Sequence, residues 1–281
     1  MQGRCLCGDV IWQSKGPLEL TSHCHCSLCR KSHGAPFATL ALTPLEGFRW
    51  LRGREGLCSY ESSPGLRRPF CGRCGSVVAA ETGEDRVAIP LGCLEGDPGV
   101  RALAHIFVGS KAPWYEIADT LPRFEAYPPG WAVPSVPKRP RSAARVGAVG
   151  GSCLCGAVAY EINGGLAWLR SCHCSRCRRA RSAAHATNGF ASPERFRWLR
   201  GESHLAQYDL PDAERFANVF CRICGSCLPR VDASRGYVLI PAGSLDDDPG
   251  GRVREHIFVA SKAPWFEIED QIPRFEAYPP R

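Results

Sequence analysis

The chain twice contains three cysteines at C-x-C-x-x-C spacing: Cys24, Cys26 and Cys29, then Cys172, Cys174 and Cys177. Cysteine thiolates are preferred zinc ligands, and a zinc ion with three protein ligands keeps a fourth position for water or substrate. Such a zinc ion can bind an incoming thiol as its thiolate or polarise a carbonyl group. The spacing therefore predicts two zinc sites at which chemistry is possible.

Two further cysteine sets combine C-x-C-G with a later C-x-x-C-G: Cys5, Cys7, Cys71 and Cys74, then Cys153, Cys155, Cys221 and Cys224. Four thiolates in two pairs are typical of a closed, structural zinc site, and glycine lets the backbone turn tightly round the metal. The alternative is four buried free thiols. The repeated pairing favours zinc, which gives two zinc ions per domain and four per chain.

These cysteine sets recur because most of the chain consists of two similar copies of one sequence. The segment 48–53 recurs unchanged as 196–201, an offset of 148, and 105–114 recurs as 256–265 with only Gly109 replaced, by Ala260. Such self-similarity indicates a tandem repeat. We predict a first domain at 1–130, a Pro/Arg-rich linker at 131–150, and a second domain at 151–281.

The fourth ligand decides whether a three-cysteine site is open or closed. The candidates in the first copy are His23, His25, His33, Cys58 and Cys93. The second copy has Ala206 and Ser244 in place of the two cysteines. The recurring His25 lies between two ligating cysteines and would have to point away from the metal. An open site is favoured, and a closed site is the alternative.

Short apolar runs must position these cysteines. Residues 9–13, 38–42, 77–80, 86–89 and 105–108 are each four or five residues long, mostly with turn formers near their ends. Short apolar runs bounded by turn formers predict short strands and an all-β, zinc-bound fold, with one possible helical turn near residues 27–31.

Composition excludes several classes of protein. No apolar run approaches the roughly 18 residues that a membrane span needs, and the first residues lack the core of a signal peptide. Seventeen cysteines without that signal favour metal ligands in a cytoplasmic protein. Four positive charges of the net +7 lie in residues 131–150. The rest of the chain therefore carries little net positive charge, which argues against nucleic-acid binding.

Cations near the three-cysteine sites are candidates for binding an acidic substrate. Arg30 and Lys31 follow Cys29, and Lys111 with its copy Lys262 lies in a predicted exposed turn that could form the other pocket wall. The alternative for these cations is solvated surface charge. For His105 and His256, a packing role is favoured.

At these residues the chain resembles the glutathione-dependent formaldehyde-activating enzyme family, also called the centromere-protein-V-like domain family. The resemblance covers nearly all of each copy and rests on the cysteine motifs together with segments 34–37, 60–63, 68–71, 105–114 and 122–125. It implies a β-tent fold with a four-cysteine and a three-cysteine zinc site. It also implies a carbon-sulfur lyase that adds the thiol of glutathione to formaldehyde.

The second copy departs from the pattern. Residues 34–37, Gly-Ala-Pro-Phe, become Ser-Ala-Ala-His at 182–185, and Arg181 replaces His33. Its pocket wall is therefore expected to differ, although its metal ligands are complete. Two other functions are alternatives to the lyase: a non-catalytic zinc module that contacts protein or nucleic acid, and a thiol carrier or metal buffer.

Overall fold

A computed structural model describes residues 1–130 and 142–280 of the chain. The first copy contains one helix, α1 (Ser27–His33), and the strands β1 (Gln2–Arg4), β2 (Ile11–Ser14), β3 (Glu19–Cys24), β4 (Ala38–Pro44), β5 (Phe48–Arg52), β6 (Leu57–Ser63), β7 (Leu66–Cys71), β8 (Ala80–Thr82), β9 (Arg86–Pro90), β10 (Ala104–Ile106) and β11 (Arg123–Phe124).

The second copy repeats this order. It contains the helix α2 (Ser175–Arg181) and the strands β12 (Ala148–Ser152), β13 (Ala159–Asn163), β14 (Leu169–Cys172), β15 (Ala186–Ala191), β16 (Phe196–Arg200), β17 (Leu205–Asp209), β18 (Ala217–Cys221), β19 (Arg230–Asp232), β20 (Tyr237–Pro241), β21 (Val253–Ile257) and β22 (Arg274–Phe275). The predicted all-β class is therefore confirmed.

Each copy is built from three sheets. In the first copy, six strands run in the order β11-β10-β3-β4-β9-β8, three in the order β1-β2-β5, and β6 pairs with β7 as a hairpin. The second copy has the same three sheets. Strand β3 ends at Cys24 and pairs in parallel with β10, so the six-stranded sheet delivers the first cysteine of the three-cysteine motif.

A cysteine of this motif is the N-cap residue of each helix. The Sγ of Cys26 accepts a hydrogen bond from the backbone N–H of Cys29, and the left-handed Gly34 (φ 60°) ends the helix. Cys174 caps α2 in the same way, but Ser182 holds the left-handed position (φ 52°). The cysteine that caps each helix is thus also a candidate metal ligand. The cap brings its thiol close to that of the cysteine three residues later.

Several sequence predictions need adjustment. Of the strand predicted at 77–80, only Ala80 lies in a strand, β8. Val77 forms an isolated bridge to Phe70 instead. The strand predicted at 105–108 stops at Ile106, since Phe107 adopts a left-handed conformation (φ 59°). Residues 131–141 of the predicted linker lie outside the described residues. Strand β12 begins inside that predicted linker, at Ala148.

The two copies pack against each other through two corresponding helix contacts. Helix α1 packs on the short 3₁₀ helix Ala242–Ser244 of the second copy, and α2 packs on Leu91–Cys93 of the first. A Cβ atom on Gly92 would lie 2.1 Å from the backbone nitrogen of Ala183, and one on Gly243 would lie 2.3 Å from that of Ala35. Backbones therefore meet directly at both contacts.

Replacement of Gly92 by alanine is expected to lower the free energy of unfolding by about 2 kcal/mol, because the new methyl group must displace backbone of the other copy. Urea denaturation measures the change. Gly56→Ala is the control, since a Cβ there meets nothing within 4 Å. Equal stability of the two variants would contradict the backbone contact.

In the part of the chain that the structure describes, no helix is long and apolar enough to cross a membrane.

Candidate metal centres and an adjoining cavity

The four-cysteine sets predicted from the sequence come together in both copies. Their Sγ atoms lie within 4.8 Å of one another, with Cys5 to Cys7 at 3.4 Å and Cys7 to Cys71 at 3.7 Å. A tetrahedral zinc ion with Zn–S bonds of about 2.3 Å requires sulfur atoms about 3.8 Å apart. Each set therefore fits a closed tetrahedral metal ion.

The three-cysteine sets also converge, each within 4.8 Å. Among residues 1–130 and 142–280, no further His, Cys, Asp or Glu places a ligand atom in either cluster. The first set is buried, whereas Cys174 and Cys177 of the second are half-buried. Each cluster can therefore hold a metal ion and leave it a free coordination position.

The candidate fourth ligands of the first copy lie outside the three-cysteine cluster. His23 is hydrogen-bonded to the hydroxyl of Thr39, and His33 is hydrogen-bonded to the carbonyl of Arg181. Cys93 donates to Ser182 across the interface, and Cys58 is exposed on β6.

A bound cation would stabilise the thiolates of the three-cysteine clusters. Hydrogen bonds from Cys24 and Cys26 lower the pKa of Cys29, while hydrogen bonding with the other two thiols raises the pKa of Cys24. Three thiolates so close together cannot all ionise unaided, because each negative charge opposes the next. A divalent metal ion supplies the missing charge, so the donor set fits zinc.

An open cavity of about 300 Å³ adjoins the first three-cysteine cluster. Its floor is one face of the six-stranded sheet, including Leu40 and Leu42 of β4 and Ala88 of β9, and its far wall is the β6–β7 hairpin. The three thiols lie among its lining residues. A small molecule in this cavity would therefore contact the open side of the cluster.

The family model for the glutathione-dependent formaldehyde-activating enzyme matches residues 1–110 and again residues 148–261. The chain belongs to this family. It carries two tandem domains of the formaldehyde-activating type, as the repeat predicted. No curated protein matches the chain. A crystal structure of a protein from Rhodobacter sphaeroides is 27% identical over 34% of this chain and 90% of that one, with a TM-score of 0.30.

The predicted substrate-binding cations do not line the cavity. Lys31 is buried in the domain interface, where its Nζ lies 2.6 Å from Asp246 of the second copy, so its ammonium does not face this cavity. Lys111 donates to the carbonyl of Tyr115, and Lys262 to that of Phe266, so both stabilise their own turns. Arg30 is half-buried on α1 and also lies outside the cavity lining.

The guanidinium of Arg68, a residue outside the predicted site, lies beside the thiol of Cys29. Both terminal nitrogens of its guanidinium lie 3.7 Å from the Sγ of Cys29, and its Nε donates to Ser62 at 2.8 Å. Burial opposes its charge, but the thiolates of Cys29 and Cys26 raise its pKa. The second copy has Asn218 at this position, so it lacks the corresponding cation.

A chain of hydrogen bonds orients the histidine between the ligating cysteines. The Nε2 of His25 lies 2.8 Å from the Nδ1 of His105, and the Nε2 of His105 lies 2.9 Å from Asp119. Since the carboxylate only accepts, His105 donates to it from Nε2 and accepts from His25 at Nδ1. His173, His256 and Asp270 form the same series of hydrogen bonds in the second copy. His105 and His256 therefore each orient the histidine that lies between two cysteines of the cluster.

Proposed function

We propose that the chain is a zinc-dependent carbon-sulfur lyase of the glutathione-dependent formaldehyde-activating type, acting at the three-cysteine cluster of the first copy. The observation that carries this proposal is the cluster of Cys24, Cys26 and Cys29, which finds no fourth His, Cys, Asp or Glu ligand among the described residues and opens onto a cavity. Family membership supports the thiol and the aldehyde as substrates.

In the addition, a bond forms between the thiol sulfur and the carbonyl carbon, and the proton lost by the thiol ends on the former carbonyl oxygen. A zinc ion held by the three cysteines would supply Lewis acidity and stabilise the attacking thiolate. The cavity holds both reactants in one place, which removes much of the entropic barrier to a bimolecular step.

Two side chains of the cavity suit this reaction. The positive charge of Arg68 beside Cys29 favours an anionic thiolate and the negative charge that develops on the aldehyde oxygen. Burial, with the charge of the nearby thiols, raises the pKa of Tyr127 to about 12. Its hydroxyl therefore stays protonated near neutral pH and can donate a hydrogen bond inside the cavity.

We expect the zinc-loaded protein to accelerate exchange between free formaldehyde and its glutathione adduct at least tenfold above the protein-free rate. Two-dimensional exchange NMR measures this rate. The double variant Cys29→Ser, Cys177→Ser should lose the acceleration, because each cluster then lacks one thiolate. Cys58→Ser is the matched control, since that cysteine is exposed and belongs to no cluster.

No acceleration by folded, fully metallated protein would overturn the proposal. It would favour a non-catalytic zinc module instead.

A further inference from the structure

The sheet face that floors the cavity in the first copy is filled by side chains in the second. The guanidinium of Arg170 lies over the rings of Trp168, Phe190 and Tyr278, with its central carbon 5.1, 5.7 and 5.9 Å from the ring centroids. Arg170 also forms an ion pair with Glu255. Cation–π contacts and an ion pair hold this side chain in place.

The corresponding residues of the first copy are small or aliphatic. At the constant offset of 148, Trp168, Arg170 and Phe190 stand where the first copy has Leu20, Ser22 and Leu42. These three residues line the cavity of about 300 Å³. The substitutions therefore separate an open site from a filled one, although both copies keep their three cysteines.

The mouth of the open site carries a strained residue. Leu20 has a φ of 48°, which is unfavourable for leucine, and its side chain is 43% exposed. Such strain tends to occur at functional sites, where the surrounding structure enforces it. Here it leaves an aliphatic side chain exposed at the edge of an aliphatic cavity.

We propose that the first copy alone binds a small thiol that carries an apolar group, with the sulfur toward Cys24, Cys26 and Cys29 and the apolar group on the sheet face. The inference rests on the proposed function, because it assigns the substrate class of the same site. The position of the cations supports it: Arg67 and Arg68 both lie on the hairpin wall, whereas the sheet face presents Leu40, Leu42 and Ala88. An apolar group gains free energy by leaving water for such a surface.

The test is calorimetric titration of the zinc-loaded full chain with benzyl mercaptan and with 2-mercaptoethanol, under anaerobic conditions. We expect one benzyl mercaptan per chain, bound at least tenfold more tightly than 2-mercaptoethanol. Leu42→Trp, which fills the cavity, should weaken benzyl mercaptan at least tenfold and abolish its preference over 2-mercaptoethanol. Phe190→Trp, the equivalent change in the filled copy, is the matched control and should alter neither affinity.

Ser22→Arg provides a second filling variant, and thermal unfolding with metal analysis verifies that both variants fold. Two benzyl mercaptans per chain, no preference over 2-mercaptoethanol, or unchanged affinity in folded filled variants would each overturn the inference. The formaldehyde exchange rate is measured separately. Selective benzyl mercaptan binding without exchange would refute the proposed function and leave this site standing, while exchange without selectivity would refute only this inference.

Discussion

Replacing Cys71 and Cys74 together by serine is expected to unfold the first domain. The four thiols of this set lie within 4.8 Å of one another and join the start of the chain to the end of β7. A structural zinc ion contributes on the order of 10 kcal/mol of folding free energy, which is comparable to the whole stability of a domain. Loss of two ligands removes most of that contribution.

Metal analysis and circular dichroism measure the outcome. We expect the natural protein to hold four zinc ions per chain, and the variant to lose at least one together with part of its native signal. Cys58→Ser is the control, because it removes a cysteine of the same domain that lies outside both clusters. Full zinc content with native unfolding behaviour in the double variant would show that the first domain does not depend on this site.

Replacement of Lys31 by methionine is expected to lower the free energy of unfolding by about 3 to 5 kcal/mol, the usual effect of breaking a buried ion pair. The side chains of Lys31 and Asp246 are 6% and 2% exposed, and their charged atoms lie 2.6 Å apart. Lys31 also donates to the backbone and hydroxyl oxygens of Ser152 at 2.8 and 2.9 Å. Without the ammonium, the carboxylate of Asp246 remains buried and loses the positive charge of Lys31.

The repeat provides the control for this prediction. Arg179 of α2 occupies the position of Lys31, but it lies 3.8 Å from Glu95, and their side chains are 22% and 42% exposed. Exposed pairs contribute about 0 to 1 kcal/mol, so Arg179→Met should change stability little. Urea denaturation compares the two variants, and equal losses would show that burial of the Lys31 pair does not matter.

The pH dependence of the same pair follows from the carboxylate. Burial opposes the charge of Asp246, but Lys31 and further hydrogen bonds hold its pKa below the ordinary value. A carboxylate with a lowered folded pKa contributes stability above its unfolded pKa of about 3.9, and loses it as the pH falls through the folded value. The contribution of this carboxylate should therefore be complete near neutral pH and decline only below about pH 4.

Sequence alone determined the repeat, the four cysteine clusters, the all-β class and a helical turn near residues 27–31, which the structure extends to His33. These features are local or periodic: a C-x-C-x-x-C segment places its three sulfur atoms together through its own turn and helix cap. The C-x-C and C-x-x-C pairs lie more than sixty residues apart, but ligand chemistry predicts that they meet.

Only the tertiary structure decided what faces each copy of a repeated motif. Lys31 and Arg179 occupy the same place in their helices, yet one is buried against Asp246 and the other is partly exposed. Ser22 and Arg170 share a strand position, yet one borders a cavity and the other fills its counterpart. Such differences depend on partners that sheet register and domain packing bring from distant parts of the chain, so the spacing of a motif could not predict them.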